Sequence, residues 1–230
     1  MIDRYTLKNT SYILNSFNSK NEFLNPNFNA SPTQKLPIIT FNESKKVSYE
    51  YWGSTKDITK NKPPALRLIN VDFSKIKKSN MLFNSFKFER CLIPCDGFYF
   101  WKKINKSEKI PYYFNLTKDK IIYCAGVREK YEDFSGNNFY YFSFLTSNSS
   151  KDWRSFTNKL PLVFDMRYFD IWFDRKNSIN KILPFLSTVK IDDFKYYVVS
   201  PYFQNEKLNN DSLIEPRKNI NQYGNYSLFD

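Results

Sequence analysis

The sequence contains no histidine. Serine–histidine–aspartate and cysteine–histidine nucleophile arrangements, HExxH zinc sites and every imidazole acid–base couple are thereby excluded. Glycine is scarce, at 5 residues in 230, and neither GxGxxG nor GxxxxGK[ST] occurs, which disfavours phosphate-cradling glycine loops. Cysteine is limited to Cys91, Cys95 and Cys124. An odd number, two of them flanking Pro94 in an apolar run, points to buried thiols in a reducing compartment, and a zinc site would need a carboxylate or a partner's ligand to complete it. No apolar run is long enough to span a bilayer, and the opening Met1-Ile2-Asp3-Arg4-Tyr5-Thr6 has no apolar signal core. Membrane insertion is therefore not expected, and a cytoplasmic location is. No pattern implies a cofactor.

Aromatic and basic residues are abundant. The 23 phenylalanines and 17 tyrosines supply ample core material for one large domain of 27.6 kDa. Lys and Arg number 35 against 23 Asp and Glu, a formal charge of +12. Such a balance favours polyanionic partners such as nucleic acid, a membrane surface or the ribosome, although a lysine-rich solvated surface gives the same count.

The most informative run is Phe88 to Lys103. Cys91-Leu92-Ile93 reads as a buried strand, Pro94 is expected to end its ladder, and Asp96-Gly97 supplies a tight turn. Phe98-Tyr99-Phe100-Trp101 follows, with rings on both faces of a strand and Lys102 and Lys103 beside them. Either one face enters the core and the other displays rings for stacking single-stranded bases, or both faces are core.

This run resembles the signature "RRCLIPADGFYEWK" of the SRAP proteins, the SOS-response-associated, autoproteolytic family that shields abasic sites in single-stranded DNA. Other segments are similar to further motifs of that family in the same order, over residues 1 to 216. Phe28 to Gln34, with Asn29, resembles "YNxAPTQ", which lies beside the family's active site. Trp52-Gly53 matches its "WG" step, after which a second tryptophan segment is replaced by the polar Ser54 to Asn61. Ile69-Asn70-Val71-Asp72 resembles the start of "INARAET", with Asp72 at the family arginine and Ser74 at its glutamate. Phe156 to Phe164 aligns with "IHDRMPVIL", with Thr157 at the histidine and Lys159 at the arginine.

The resemblance implies an α+β fold: a single SRAP-like domain over residues 1–216 on a curved, mostly antiparallel sheet with short peripheral helices, and a polar C-terminal extension over 217–230. In order, it and the apolar patterning lead us to expect a strand over Ile2 to Leu7 and a short helix capped by Thr10 or Ser11. Strands follow at Leu36 to Phe41 and Val47 to Trp52, then a weak helix over Ser74 to Phe86 with Lys75, Lys77 and Lys78 on one face. Further strands are expected at Pro111 to Leu116, Ile121 to Val127, Phe139 to Thr146 and Tyr197 to Ser200. Short helices are expected at Tyr168 to Phe173 and Ile179 to Leu186.

The resemblance also implies a chemistry that this chain lacks. The family exposes a cysteine at position 2 by removing the initiator methionine, and its amine and thiol close a ring on the abasic aldehyde with help from an asparagine, a glutamate and a histidine. Here position 2 is Ile2, which has no nucleophile and is bulky enough that Met1 is expected to remain. The glutamate position is Phe100 and the histidine position Thr157, neither of which titrates near neutrality. Asn70 alone survives. A bare α-amine can still form a Schiff base, but no thiol traps it.

The expectation is a catalytically inactive SRAP-fold protein that binds single-stranded DNA or RNA non-covalently. The candidate contacts are Trp52, Phe98, Tyr99, Phe100 and Trp101 for stacking, Lys102, Lys103 and Lys159 for phosphate, and Asn29, Asn70 and Thr157 around the former site. Phe100 either stacks a base or fills a redundant cavity. The alternative is a structural or adaptor subunit that uses the fold to bind protein partners, an option supported by the lost chemistry, the charge reversal at Asp72 and the wealth of rings.

Overall fold

The structure is a computed structural model, and it describes residues 1–17, 25–41, 45–53, 69–117, 121–132 and 136–217. The polar segment at Ser54 to Asn61 and all but the first residue of the proposed C-terminal extension lie outside the described residues.

The strands run β1 (Tyr5–Leu7), β2 (Asn27–Ala30), β3 (Lys35–Phe41), β4 (Lys45–Trp52), β5 (Asn70–Asp72), β6 (Arg90–Cys95), β7 (Gly97–Lys103), β8 (Lys109–Leu116), β9 (Ile122–Glu132), β10 (Asn138–Asn148), β11 (Lys159–Phe164), β12 (Leu186–Thr188) and β13 (Phe194–Val198). Helices are short: α1 (Thr10–Ser16), α2 (Asn80–Phe88), α3 (Phe169–Phe173) and α4 (Ile179–Ile182), with 3-10 turns between them. The α+β class holds.

The strands form two sheets where one was expected. The smaller is antiparallel throughout, in the order β13-β8-β7-β1-β2. The larger is ordered β12-β11-β9-β6-β3-β4-β10-β5, and β10 pairs β9 as well as β4. Strands β9, β6, β3, β4 and β10 therefore return on themselves, a closure that removes sheet edges. β10 runs parallel to β4 and β5, so the larger sheet is mixed.

Burial accounts for these strands. β6 is buried along its whole length and, past Arg90, reads as a continuous apolar run. Pro94 does not end the ladder but pairs with Tyr123 of β9. It is tolerated because β3 meets β6 only at Ile39–Leu92, so Pro94 needs no amide on that side. The helix expected up to Leu186 stops at Ile182, then passes through a 3-10 turn into β12, which pairs with β11. Ser74 to Phe86 splits into a 3-10 helix over Phe73–Lys78 and α2, capped by the Asp72 and Ser79 side chains.

The four successive rings of β7 are explained by two-sided burial. Phe98 and Phe100 point into the main core, where they meet Phe114, Trp153 and Phe194. Tyr99 and Trp101 point the other way and are covered by Phe203 and Leu213 from the C-terminal segment. Tyr99 also donates its hydroxyl to the Phe28 carbonyl at 2.7 Å.

The Asp96-Gly97 pair does more than turn the chain. The buried Asp96 carboxylate accepts the Thr6 hydroxyl at 2.6 Å and the Lys8 and Asn9 amides at 2.5 and 2.9 Å. It thus pins the end of β1 to the start of α1. A Cβ on Gly97 would lie 2.4 Å from the Tyr113 hydroxyl oxygen, so this close approach requires glycine.

Candidate functional site

The amino terminus enters the molecule beside β5 and β11. Asn70, at the start of β5, donates its side-chain amide to the Ile2 carbonyl at 2.6 Å, while its Oδ1 is buried without a partner. The Met1 α-ammonium donates to the Thr157 hydroxyl oxygen at 2.7 Å. Thr157 in turn donates to the Lys159 carbonyl at 2.9 Å and accepts the Lys159 amide at 3.3 Å, so its hydroxyl is fully engaged. Burial lowers the pKa of the Met1 amine, an effect opposed by Asp3 and reinforced by Lys103. Asn70, Thr157 and the first two residues are therefore brought together, as the resemblance implies.

The two remaining positions are closed by packing. The Ile2 side chain is fully buried. Phe100 is only 3% exposed and sits 5.6 Å from Phe114 and 5.7 Å from Trp153, ring centre to ring centre. The ring that stands where the resemblance places a glutamate fills space and is not displayed to solvent.

Several residues expected to contact nucleic acid are instead buried or paired within the chain. Trp52 is fully buried among Tyr5, Phe142 and Phe144 and donates its indole N–H to the Ile69 carbonyl at 2.9 Å. Phe98, Tyr99 and Phe100 are core, so none of these rings can stack a base without unfolding its surroundings. Asn29 is buried too, and its amide straps the C-terminal segment by donating to the Asn205 and Leu208 carbonyls at 3.0 and 2.9 Å. The Lys159 ammonium is already engaged: it pairs with Asp72 at 2.5 Å and donates to Asn148 at 2.7 Å. For the rings and Asn29 the physical reason is shared: two sheets and a C-terminal flap bury both faces of strands that sequence periodicity allows to be one-sided.

Trp101 remains half-buried against Phe203, at 5.6 Å. Lys102 lies over the Tyr112 and Phe156 rings at 5.8 and 5.7 Å, and Lys103 is exposed at the end of β7. Sequence reasoning missed the Asp72–Lys159 pair, since the two residues are 87 positions apart and each was read only against its own motif.

The thiols are withdrawn from solvent. Cys91, Cys95 and Cys124 are all free and buried, Cys95 and Cys124 being in contact at 3.4 Å. Burial pushes the Cys91 and Cys95 thiols well above their ordinary value, which suppresses the thiolate. Among the described residues no cluster of Cys, Asp and Glu is arranged to hold a metal ion, and no helix is long and apolar enough to cross a membrane.

The SOS response associated peptidase (SRAP) family model matches residues 1–206, and the chain belongs to that family. It is 26% identical over 192 residues to the abasic site processing protein YoqW of Bacillus subtilis, covering 83% of this chain and 86% of that protein. It is 24% identical over 228 residues to YoaM, an abasic site processing protein of the same organism, covering 96% and 100%. Among solved structures, a Bacteroides thetaiotaomicron protein superposes with a TM-score of 0.69 at 21% identity, covering 81% of this chain and 82% of that one. A phage-related protein from Bordetella bronchiseptica gives 0.65 at 17% identity, covering 86% and 93%.

Proposed function

We propose that this SRAP-family protein binds single-stranded nucleic acid without forming a covalent bond to it. One observation carries the reading. The positions of the family chemistry are occupied by groups that cannot perform it, and those groups are built into the core: Ile2 and Phe100 are buried, and the Thr157 hydroxyl is saturated. Relatives named as abasic site processing proteins, together with the +12 charge, support nucleic acid as the partner. Lys102 and Lys103 at the surface end of β7 are the retained phosphate contacts of this reading.

The test is a titration with labelled single-stranded oligonucleotides, intact and abasic, at low and high salt, followed by a denaturing gel. The expected result is binding that weakens steeply with salt, equal for both strands, with no band surviving denaturation. A surviving band with the abasic strand alone overturns the loss of chemistry. If that band needs borohydride, the bond is an imine from an amine; if it does not, another nucleophile has acted. Absence of binding at low salt overturns the nucleic-acid reading and leaves the adaptor role, whose argument from abundant rings is weakened by finding so many of them inside.

A further inference from the structure

A second basic site lies away from the amino terminus, between α2 and the chain that joins α3 to α4. A cleft of about 360 Å³ opens there, within the usual range for ligand sites. Five of its lining residues are cations, Lys77, Lys87, Arg90, Arg175 and Lys176, and no described lining residue is acidic. The neighbouring Asp174 spends one carboxylate oxygen on the Lys176 amide, at 2.9 Å.

Arg90 forms the floor. It is 5% exposed, yet it meets no carboxylate: its guanidinium donates to the carbonyls of Trp172, Phe86, Lys87 and Asp174, and lies against the Phe86 and Trp172 rings. Carbonyl dipoles hold the guanidinium in place; the Asp174 carboxylate attracts it without forming an ion pair, and burial lowers the screening of its charge. Above it, Lys77 is held across the cleft by donating to Asn180 at 3.0 Å. Lys87, Arg175 and Lys176 make no ion pair among the described residues. The Phe83 ring, 41% exposed, forms part of the wall. An exposed ring among cations that make no ion pair among the described residues is the chemistry that takes a base on its face and phosphates around it.

We infer that this cleft binds the sugar–phosphate backbone of a single nucleic-acid strand, with Phe83 stacking one base and Lys77, Lys87, Arg175 and Lys176 holding its phosphates. The inference rests on the nucleic-acid reading proposed above. It adds a site that reading does not use. The 3-10 helix that carries Lys77 begins at Phe73, immediately after Asp72.

The experiment is a fluorescence-anisotropy titration of a labelled single strand across a salt series. It compares the wild-type chain, Lys87→Gln/Arg175→Gln, Phe83→Ala and Lys102→Gln/Lys103→Gln, each checked for native circular dichroism. The cleft double variant is expected to bind roughly tenfold more weakly near 0.1 M salt, with a slope of log affinity on log salt shallower by about 1.4. Phe83→Ala is expected to lose about tenfold or more at unchanged slope, since stacking carries no counterions. If wild type binds while both cleft variants keep its affinity and slope, the cleft proposal falls and the nucleic-acid reading stands. If wild type fails to bind at low salt, both fall. If adenosine monophosphate displaces the strand at equal nucleotide concentration, the cleft is a mononucleotide site and the strand proposal is overturned.

Discussion

Asp72 and Lys159 neutralise each other across the sheet. Asp72 closes β5, Lys159 opens β11, and the ammonium meets the carboxylate at 2.5 Å while donating also to Asn148 on the intervening β10. The charge reversal at Asp72 is thus matched by a cation that would otherwise face solvent. Asp72→Asn should release Lys159 and raise the positive potential beside the amino terminus. Oligonucleotide affinity should rise a few-fold, and the salt slope should steepen by about 0.7, one additional phosphate contact. An unchanged affinity and slope would show that this surface lies off the nucleic-acid path.

The same pair makes stability depend on pH in a defined window. The Lys159 hydrogen bond is the chief cause holding Asp72 down at about 2, against an ordinary value of 3.8. A depressed carboxylate contributes stability that is complete above its unfolded value and lost as pH falls through the folded one, here between about pH 4 and pH 2. Because both groups are partly solvated, the contribution is roughly 1 kcal/mol. Urea midpoints of wild type and Asp72→Asn should therefore differ at about pH 5 and converge near pH 2. A constant difference down to about pH 2 would contradict the ion pair.

Phe100 offers a direct test of cavity filling against stacking. Phe100→Ala should cost about 3–5 kcal/mol by urea denaturation, as for other buried rings. Affinity for single strands per folded molecule should not change. A loss of affinity without a loss of stability would restore Phe100 to the binding surface.

The thiols should be silent in the native chain. At neutral pH Cys91, Cys95 and Cys124 should resist an aromatic disulfide reagent, then react completely in denaturant. Fast labelling of any one of them in the folded protein would reopen the search for a nucleophile.

Arg128 anchors the closed sheet. It pairs with Glu50 of β4 at 2.6 Å and with Glu89 at 2.5 Å, and it lies over the Tyr140 ring at 4.5 Å. Removing it in Arg128→Ala strands the buried Glu50 carboxylate, whose second oxygen already has no partner. A loss of about 3–5 kcal/mol is expected in the urea midpoint analysis. Glu50→Gln/Arg128→Met should recover much of that loss, since both charges leave together.

What the amino-acid sequence determined by itself was the family, the class of fold and the residue types that stand at the family's motif positions. Those are matters of residue identity: Ile2, Phe100 and Thr157 are what they are wherever they sit, and no histidine occurs anywhere in the chain. Most strands were legible too, because buried runs such as Cys91-Leu92-Ile93 declare themselves through apolar continuity. Solvent exposure was not legible. Four consecutive rings in β7 satisfy a one-sided and a two-sided strand equally well. Phe203 and Leu213, far along the chain, decide between the two by folding over the outer face. Charge pairing was equally hidden, since Asp72 and Lys159 meet only because β10 lies between their strands. The basic cleft depends on Arg90 finding carbonyls where a carboxylate is usual. Sequence names the groups; only tertiary packing decides which of them water, or a phosphate, can reach.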